Sequence, residues 1–301
     1  MDVTPKSLIL DLLSTLPARG GHSMPVRALV EAGSDFGMAN SSVRVALARL
    51  LAQERVESDA RGRYRLGVAA DAVSHAVRNW RKLDEQVVDW RGGWIAVHRH
   101  QPGTRSQRRD SNRSLVFLGF RELKPGLFLR PDNLRGDISE LRARLKDLGL
   151  EESALVFALA DLDSGSEAKA RGLWDELGLA GACQAASQAL IRSRARLDGA
   201  SAREAMVETF CQGGRVIRQL VLDPLLPDSI SPAAPREALA AQMLDYDAFG
   251  RSCWAPFLEK HGISHRRTPA DLRLGDGTDH LASAALLRSG DSSDFAQGQE
   301  L

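Results

Sequence analysis

The sequence predicts an α+β fold in three parts, and three observations carry the prediction. Residues 37–66, GMANSSVRVALARLLAQERVESDARGRYRL, read as an amphipathic helix followed at once by a short basic hairpin. Between Trp94 and Leu159 the pattern alternates as β-α-β-β-α-β. From Ser164 onward apolar residues recur at three- and four-residue spacing, the period of a helix. The first pattern predicts a winged helix-turn-helix, the second a ferredoxin-like domain and the third a helical C-terminal domain. The expected boundaries are 1–70 for the winged helix, 71–91 for a helical connector, 92–162 for the ferredoxin-like domain and 163–267 for the helical domain. A tail at 268–301, polar and rich in Gly, Ser and Asp apart from Leu281 to Leu287, is expected to be mobile.

Thr4 and Pro5 read as an N-cap followed by proline in the first turn, and Leu8, Ile9, Leu12, Leu13 and Leu16 repeat at helical spacing until Pro17 stops the run. A Gly-rich break at Arg19 to Gly21 precedes a second helix, opened by Ser23 and Pro25, carrying Val26, Leu29 and Val30, and closed by Gly33. In the third helix Val43, Ala46, Leu47 and Leu50 form one apolar arc. Ser41, Ser42, Val45, Ala48 and Arg49 form the opposite face, with Arg44 on its flank. Small side chains let a helix sink close to base edges, and an arginine at the margin reaches a phosphate or a guanine. A solvated surface helix has the same pattern, so this helix alone leaves both readings open. Strands at Arg55 to Ser58 and Arg63 to Leu66 flank a turn at Asp59 to Gly62. They place Arg61, Arg63 and Arg65 on or near a tip suited to the sugar-phosphate backbone.

Asp71 to Trp90 reads as a charged helix with Val73, Val77, Trp80, Val87 and Trp90 as apolar positions, a packing or dimer-contact element. The middle series is a strand at Trp94 to His98, a basic loop, a helix near Gln107 to Leu118, and strands at Phe120 to Leu123 and Leu127 to Arg130. A helix at Ile138 to Leu148 and a strand at Ala154 to Leu159 complete it. Helices at Ala168 to Leu177, Cys183 to Leu197, Ala202 to Leu220 and Arg236 to Leu258 follow. The four prolines of Asp223 to Pro235 make a rigid connector between the last two.

Composition bounds the function. With 301 residues and a 43% hydrophobic share, the chain supports two or three modest domains with real cores. Its 40 basic and 39 acidic residues cancel globally, so nucleic-acid binding must rest on local patches. No apolar run reaches signal-peptide or bilayer-spanning length, which predicts a soluble cytoplasmic protein with no membrane partner. Cys183, Cys211 and Cys253 are odd in number and far apart, which suits reduced thiols rather than a disulfide framework or a zinc cluster.

Candidates for chemistry are few, and no catalytic residue, metal site or cofactor is expected. A metal-dependent nuclease wants a carboxylate at the end of its first central strand, where this chain has His98, Arg99 and His100. His98 and His100 share a strand face, but no Cys or third His lies near in sequence. His261 and His265 stand four apart without an intervening Glu, and chance explains them better than zinc. An enzyme would need more than scattered carboxylates such as Asp161 and Asp163. The stretch Arg99 to Arg113, with Arg99, Arg105, Arg108, Arg109 and Arg113 opposed only by Asp110, reads as a cationic loop. It suits flanking DNA phosphates, the phosphates of an acidic ligand, or plain solvation.

Three separated stretches resemble one family, the phenylacetic acid degradation repressors of the PaaX type. SSVRVALARL with the downstream RGRYRL is similar to that family's Val-Arg-x-Ala-Leu-x-Arg-Leu helix and Gly-Arg-x-Tyr-x-Leu wing. WRGGWIAV followed by LGFRELKPGLFLRP resembles its central domain, and DPLLPDSI its Pro-rich connector. The chain departs from the family at Arg55 and Val56, where members often carry a Gly-aromatic pair, and the resemblance does not extend to its tail after about Thr268. The resemblance implies a homodimeric transcriptional repressor on double-stranded promoter DNA, released by an aryl-acyl-CoA such as phenylacetyl-CoA. It implies groove-reading residues Ser41, Ser42, Arg44, Val45 and Arg49, with Arg61, Arg63 and Tyr64 at the wing. The effector's phosphates are expected at Arg99, Arg105, Arg108, Arg109 and Arg113, the most basic stretch outside the N-terminal domain. Two alternatives stand beside this: a regulator of another catabolic pathway with a different effector, and an acyl-CoA or nucleic-acid enzyme with an accessory winged helix.

Overall fold

The computed structural model describes residues 3–14, 16, 22–59, 62–67, 80–99 and 104–263. They show an α+β architecture of helices and two antiparallel sheets. Contacts gather them into two compact units. One draws on Met1–Trp80, Ser187–Val221 and Ala241–Leu301, the other on Arg81–Ala186 and Leu222–Ala240. The expected tail at 268–301 lies outside the described residues.

The first unit opens with α1 (Pro5–Ser14). Thr4 caps it: its hydroxyl accepts from the Ser7 amide at 3.2 Å, and its own amide donates back to Ser7 Oγ at 2.9 Å. Then come β1 (Met24–Pro25), α2 (Val26–Asp35), α3 (Asn40–Ala52), β2 (Val56–Asp59) and β3 (Arg63–Leu66). The strands form one antiparallel sheet in the order β1-β3-β2, with Met24 opposite Tyr64 and Val56 opposite Leu66. Two expectations are corrected here. Gly33 does not close α2 but lies inside it, because a Cβ there would meet Val43 Cγ2 at 2.5 Å and α2 and α3 pack too closely to allow one. Ser23 does not cap α2; its hydroxyl donates to Asp59 Oδ2 at 2.7 Å and accepts from Arg63 Nε at 3.0 Å, tying the helix approach to the hairpin.

The second unit begins within the 3-10 turn at Trp80–Lys82, a second such turn follows at Asp84–Gln86, and Val87 then bridges to Leu134. The described part of the helix expected across Asp71 to Trp90 is therefore not continuous, and residues 71–79 lie outside the described residues. β4 (Trp94–His98), α4 (Arg105–Phe117), β5 (Arg121–Lys124), β6 (Leu127–Pro131), α5 (Ile138–Asp147), β7 (Leu155–Leu159) and α6 (Ser164–Arg171) follow. The sheet order is β5-β6-β4-β7, with every neighbour antiparallel. Central β4 is buried on both faces. Ile95 and Val97 join Leu115, Phe120 and Leu145 on one side, while Trp94 and Ala96 join Leu129, Trp174 and Leu226 on the other.

The Pro-rich segment packs in this second unit. Asn133 Nδ2 donates to the Leu225 carbonyl at 2.7 Å, and buried Arg130 donates to Asn133 Oδ1 at 2.9 Å, to the Leu118 carbonyl and to the Pro224 carbonyl. Burial pushes the Arg130 guanidinium down to about 9, so it remains a cation at neutral pH.

α7 (Leu179–Arg196), α8 (Ala202–Val221) and α9 (Ala234–Lys260) complete the chain's described helices. α9 starts two residues before the expected Arg236 and takes Pro235 into its first turn, where the missing N–H costs nothing. Met206 and Phe210 of α8 and Phe257 and Leu258 of α9 belong to the same buried cluster as Leu8, Leu12, Leu29, Val43 and Leu50. An aromatic ladder runs through it: Phe36 edge-on to Phe210 at 5.0 Å, Phe210 to Trp254 at 5.8 Å, and Trp254 to Phe257 at 5.5 Å.

Candidate nucleic-acid interface

α3 is held by one face and free on the other. Val43 and Leu50 are fully buried and Leu47 nearly so, each contributing about 1.5–3 kcal/mol of burial. Ser41, Ser42, Arg44, Val45, Ala48 and Arg49 are exposed, as the helical spacing requires. Val45 stands out because half of its surface, 51%, faces solvent. Arg44 and Arg49 take no ion pair or hydrogen-bond partner among the described residues.

The turn that aims α3 is fixed from two directions. Gly37, at φ +73°, makes the reversal between α2 and α3 that a side chain would resist. At the end of α2, Arg203 Nη2 donates to the carbonyls of Ser34 at 3.1 Å and Asp35 at 3.0 Å, satisfying groups the helix leaves open. Earlier in α2, Glu31 receives Lys260 Nζ at 2.6 Å and lies 3.2 Å from Nε2 of buried His261. The Lys260 hydrogen bond leads in holding the Glu31 carboxyl below its ordinary range. His265, the other histidine of that sequence pair, lies outside the described residues.

The hairpin distributes its residues by strand alternation. Tyr64 and Leu66 pack partly buried on the core cluster, while Arg63 and Arg65 share the other face. Arg63 is turned back onto Ser23, donating to its hydroxyl and carbonyl, and Arg65 pairs with cross-strand Glu57 at 3.1 Å. Neither Arg63 nor Tyr64 therefore presents a free tip. Arg61 lies outside the described residues. One cation escaped the sequence reading: Arg27, exposed in the first turn of α2 and without a partner among the described residues. Its signal was available, since an arginine in the first turn of a helix stands against the positive end of the helix dipole, where folding gains nothing from it.

The second basic stretch is not the loop expected from sequence. A reciprocal capping box between Thr104 and Gln107 starts α4 at Arg105, so Arg105 to Arg113 are helical. Arg99 is engaged elsewhere: Nε and Nη2 form a bidentate pair with Glu151 at 2.7 and 3.1 Å, with both side chains about nine-tenths buried, and Nη1 donates to Asn112. Arg113 lies 3.3 Å from Asp110. Arg108 and Arg109 face solvent with no partner among the described residues, and the Arg105 backbone opens the helix. The structure thus takes Arg99 out of the expected ligand group and sets Arg113 beside Asp110, while positions 105, 108 and 109 share one face of α4.

Another of the sequence candidates has a structural task. Asp163 Oδ1 caps α6 by accepting from the Gly165 and Ser166 amides at 3.0 Å each, and hydrogen bonding from the Ser166 side chain first, with these amides, holds its carboxyl below the ordinary range. Among the described residues no group of three His, Cys, Asp or Glu side chains is placed to hold a metal ion. No helix among them is long and apolar enough to cross a membrane.

Over residues 4–69 the chain matches the family model described as PaaX-like protein. Those residues cover α1, β1, α2, α3 and the hairpin. Among solved structures, an uncharacterized protein from Mycobacterium tuberculosis, Rv0674, is similar with a TM-score of 0.53 and 24% identity. The match covers 86% of this chain and 99% of that one, and the likeness is one of fold. No curated protein matches the chain.

Proposed function

We propose that the chain, which matches the PaaX-like family model over residues 4–69, is a member of that family and a DNA-binding transcription regulator of phenylacetate catabolism that acts without catalysis. The observation that carries the reading is the outward face of α3, where Arg44, Arg49 and Val45 are exposed and the two arginines have no partner among the described residues. The order α1-β1-α2-α3-β2-β3 supports a winged helix-turn-helix, with α3 as the helix that enters the major groove. The βαββαβ series with its β5-β6-β4-β7 sheet supports the ferredoxin-like arrangement of the middle segment. We keep the segment limits 1–70, 92–162 and 163–267 as the functional parts of the chain.

On this reading the protein is a cytoplasmic homodimer whose two α3 helices meet half-sites one turn, about 34–36 Å, or a multiple apart. It represses until an aryl-acyl-CoA, phenylacetyl-CoA first among them, binds better to a conformation with badly spaced helices. Emptying the operator takes about 5 kcal/mol of differential affinity, within reach of a large multi-contact thioester. Of the arginines expected to meet its phosphates, Arg105, Arg108 and Arg109 stay assigned to that role. Arg99 and Arg113 have carboxylate partners of their own.

The test is a gel shift on DNA upstream of the protein's own gene and neighbouring catabolic operons, with phenylacetyl-CoA and with free phenylacetate as control. Release by the thioester alone is expected. Salt-sensitive binding indifferent to it transfers the effector search to other acyl-CoAs. Release of intact ligand excludes a thioesterase.

A further inference from the structure

We propose that Val45 is a base-reading residue whose isopropyl group packs on the 5-methyl group of one thymine in each half-site. The inference rests on α3 being the groove-entering helix. Val45 is 51% exposed, and its neighbours one turn away on the helix surface are Ser41, Ser42, Ala48 and Arg49. Three of those four side chains are shorter than valine, so the two methyl groups of Val45 are the apolar high point of the face.

Folding gives no reason for a valine there. It belongs to no core cluster among the described residues, and a β-branched residue on a solvated helix surface is a poorer helix former than alanine. What surrounds it says which partner fits. Arg44 and Arg49 on α3 and Arg27 at the start of α2 are cations without partners among the described residues, a complement to a polyanion rather than to an apolar protein face. In the major groove of a duplex the thymine methyl is the apolar feature on the base edges, and an aliphatic side chain distinguishes it from cytosine, adenine and guanine. The hydroxyls of Ser41 and Ser42 suit hydrogen-bonding edges beside it, and the arginines suit guanine or phosphate.

The experiment has two stages, both with the full chain. Duplexes are first selected from a random pool with the wild type and with Val45→Ala, a substitution at an exposed site whose unfolding temperature should match the parent's. Wild type is expected to enrich a T·A pair at one position per half-site, and the variant to lose that preference. In the selected duplex that thymine is then replaced by deoxyuridine, which removes the methyl and nothing else, and affinity is read by fluorescence anisotropy. The loss expected for wild type is about fourfold per half-site, the weight of burying one methyl group, with no loss for Val45→Ala. Deoxyuridine that costs the wild type nothing, or costs the variant as much, overturns the role of Val45 while leaving the regulator in place. If neither protein enriches any sequence, α3 is not a groove reader and this inference falls with it.

Discussion

Two arginine-bearing stretches look alike in the sequence and are used differently in the molecule. On α3, Arg44 and Arg49 face solvent with no partner among the described residues. In the stretch from Arg99 to Arg113, Arg99 is locked into a buried bidentate pair with Glu151, a residue about fifty positions away, and Arg113 sits beside Asp110. A count of cations therefore says little about how many are available to a ligand. For Arg99 availability is decided by a carboxylate that the fold brings in from a distance, a pairing the sequence does not display, whereas Asp110 stands within reach of Arg113 in the sequence itself.

The strongest way to break this comparison is to remove the free cations. Arg44→Ala with Arg49→Ala should weaken DNA binding about 100-fold in an anisotropy titration and flatten its salt dependence, with no change in unfolding temperature. If the double variant binds as before, the α3 face is a solvated surface and the contrast loses its meaning. If the protein unfolds earlier, one of these arginines supports the fold in a way its exposure does not suggest.

The complementary change sharpens the other side. Glu151→Gln should leave DNA affinity untouched and cost about 2 kcal/mol of stability, because a buried guanidinium loses its counter-charge. This effect should depend on pH with a definite sign. Hydrogen bonds from Arg99 hold the Glu151 carboxyl below its ordinary value of 4.5, with Ser111 assisting and burial opposing. A carboxyl depressed in the folded state stabilises the protein fully above its unfolded value and loses that contribution as pH falls through the folded one. The gap between wild type and Glu151→Gln in denaturant titrations should be constant from pH 7 down to about 5.5 and narrow below about 4.5. A gap that widens on acidification would mean that the pair is not what holds Arg99.

How legible each region was follows from the range of the interactions that build it. Local period sufficed for the α3 face: Val43, Leu47 and Leu50 inward and Ser41, Ser42, Val45 and Arg49 outward follow from 3.6 residues per turn alone. It sufficed equally for β4, found at Trp94 to His98 as expected, and for the βαββαβ order. Contacts between distant segments were not legible. Nothing in α8 or α9 announces that Phe210 and Phe257 complete the core of α1–α3, because an amphipathic helix shows that it has a buried face and not what covers it. The hairpin failed for a related reason. Proximity to the turn points Arg63 toward the tip and the family resemblance puts Tyr64 at the wing, whereas alternation sends Tyr64 to the core and Ser23, forty residues earlier, captures Arg63. The helical start at Arg105 was legible in principle, since Thr104 and Gln107 have capping-box spacing, but the charge density of the stretch suggested a loop instead.

The smallest expected effect decides what the remaining cations of α4 do. Arg108 and Arg109 lie in the first half of that helix, near the positive end of its dipole, where arginine is slightly unfavourable. Replacing both by alanine should therefore leave the unfolding free energy unchanged or raise it slightly, by about a few tenths of a kcal/mol. An acyl-CoA role predicts that the double variant still binds DNA like wild type but needs more phenylacetyl-CoA for release, about tenfold for the loss of two charge-assisted phosphate contacts. A phosphate-gripping arm predicts the reverse: weaker binding with a smaller salt slope, and release at the parental effector concentration. In the second case both arginine-bearing helices serve DNA, and the comparison between them would become one of strength rather than of kind.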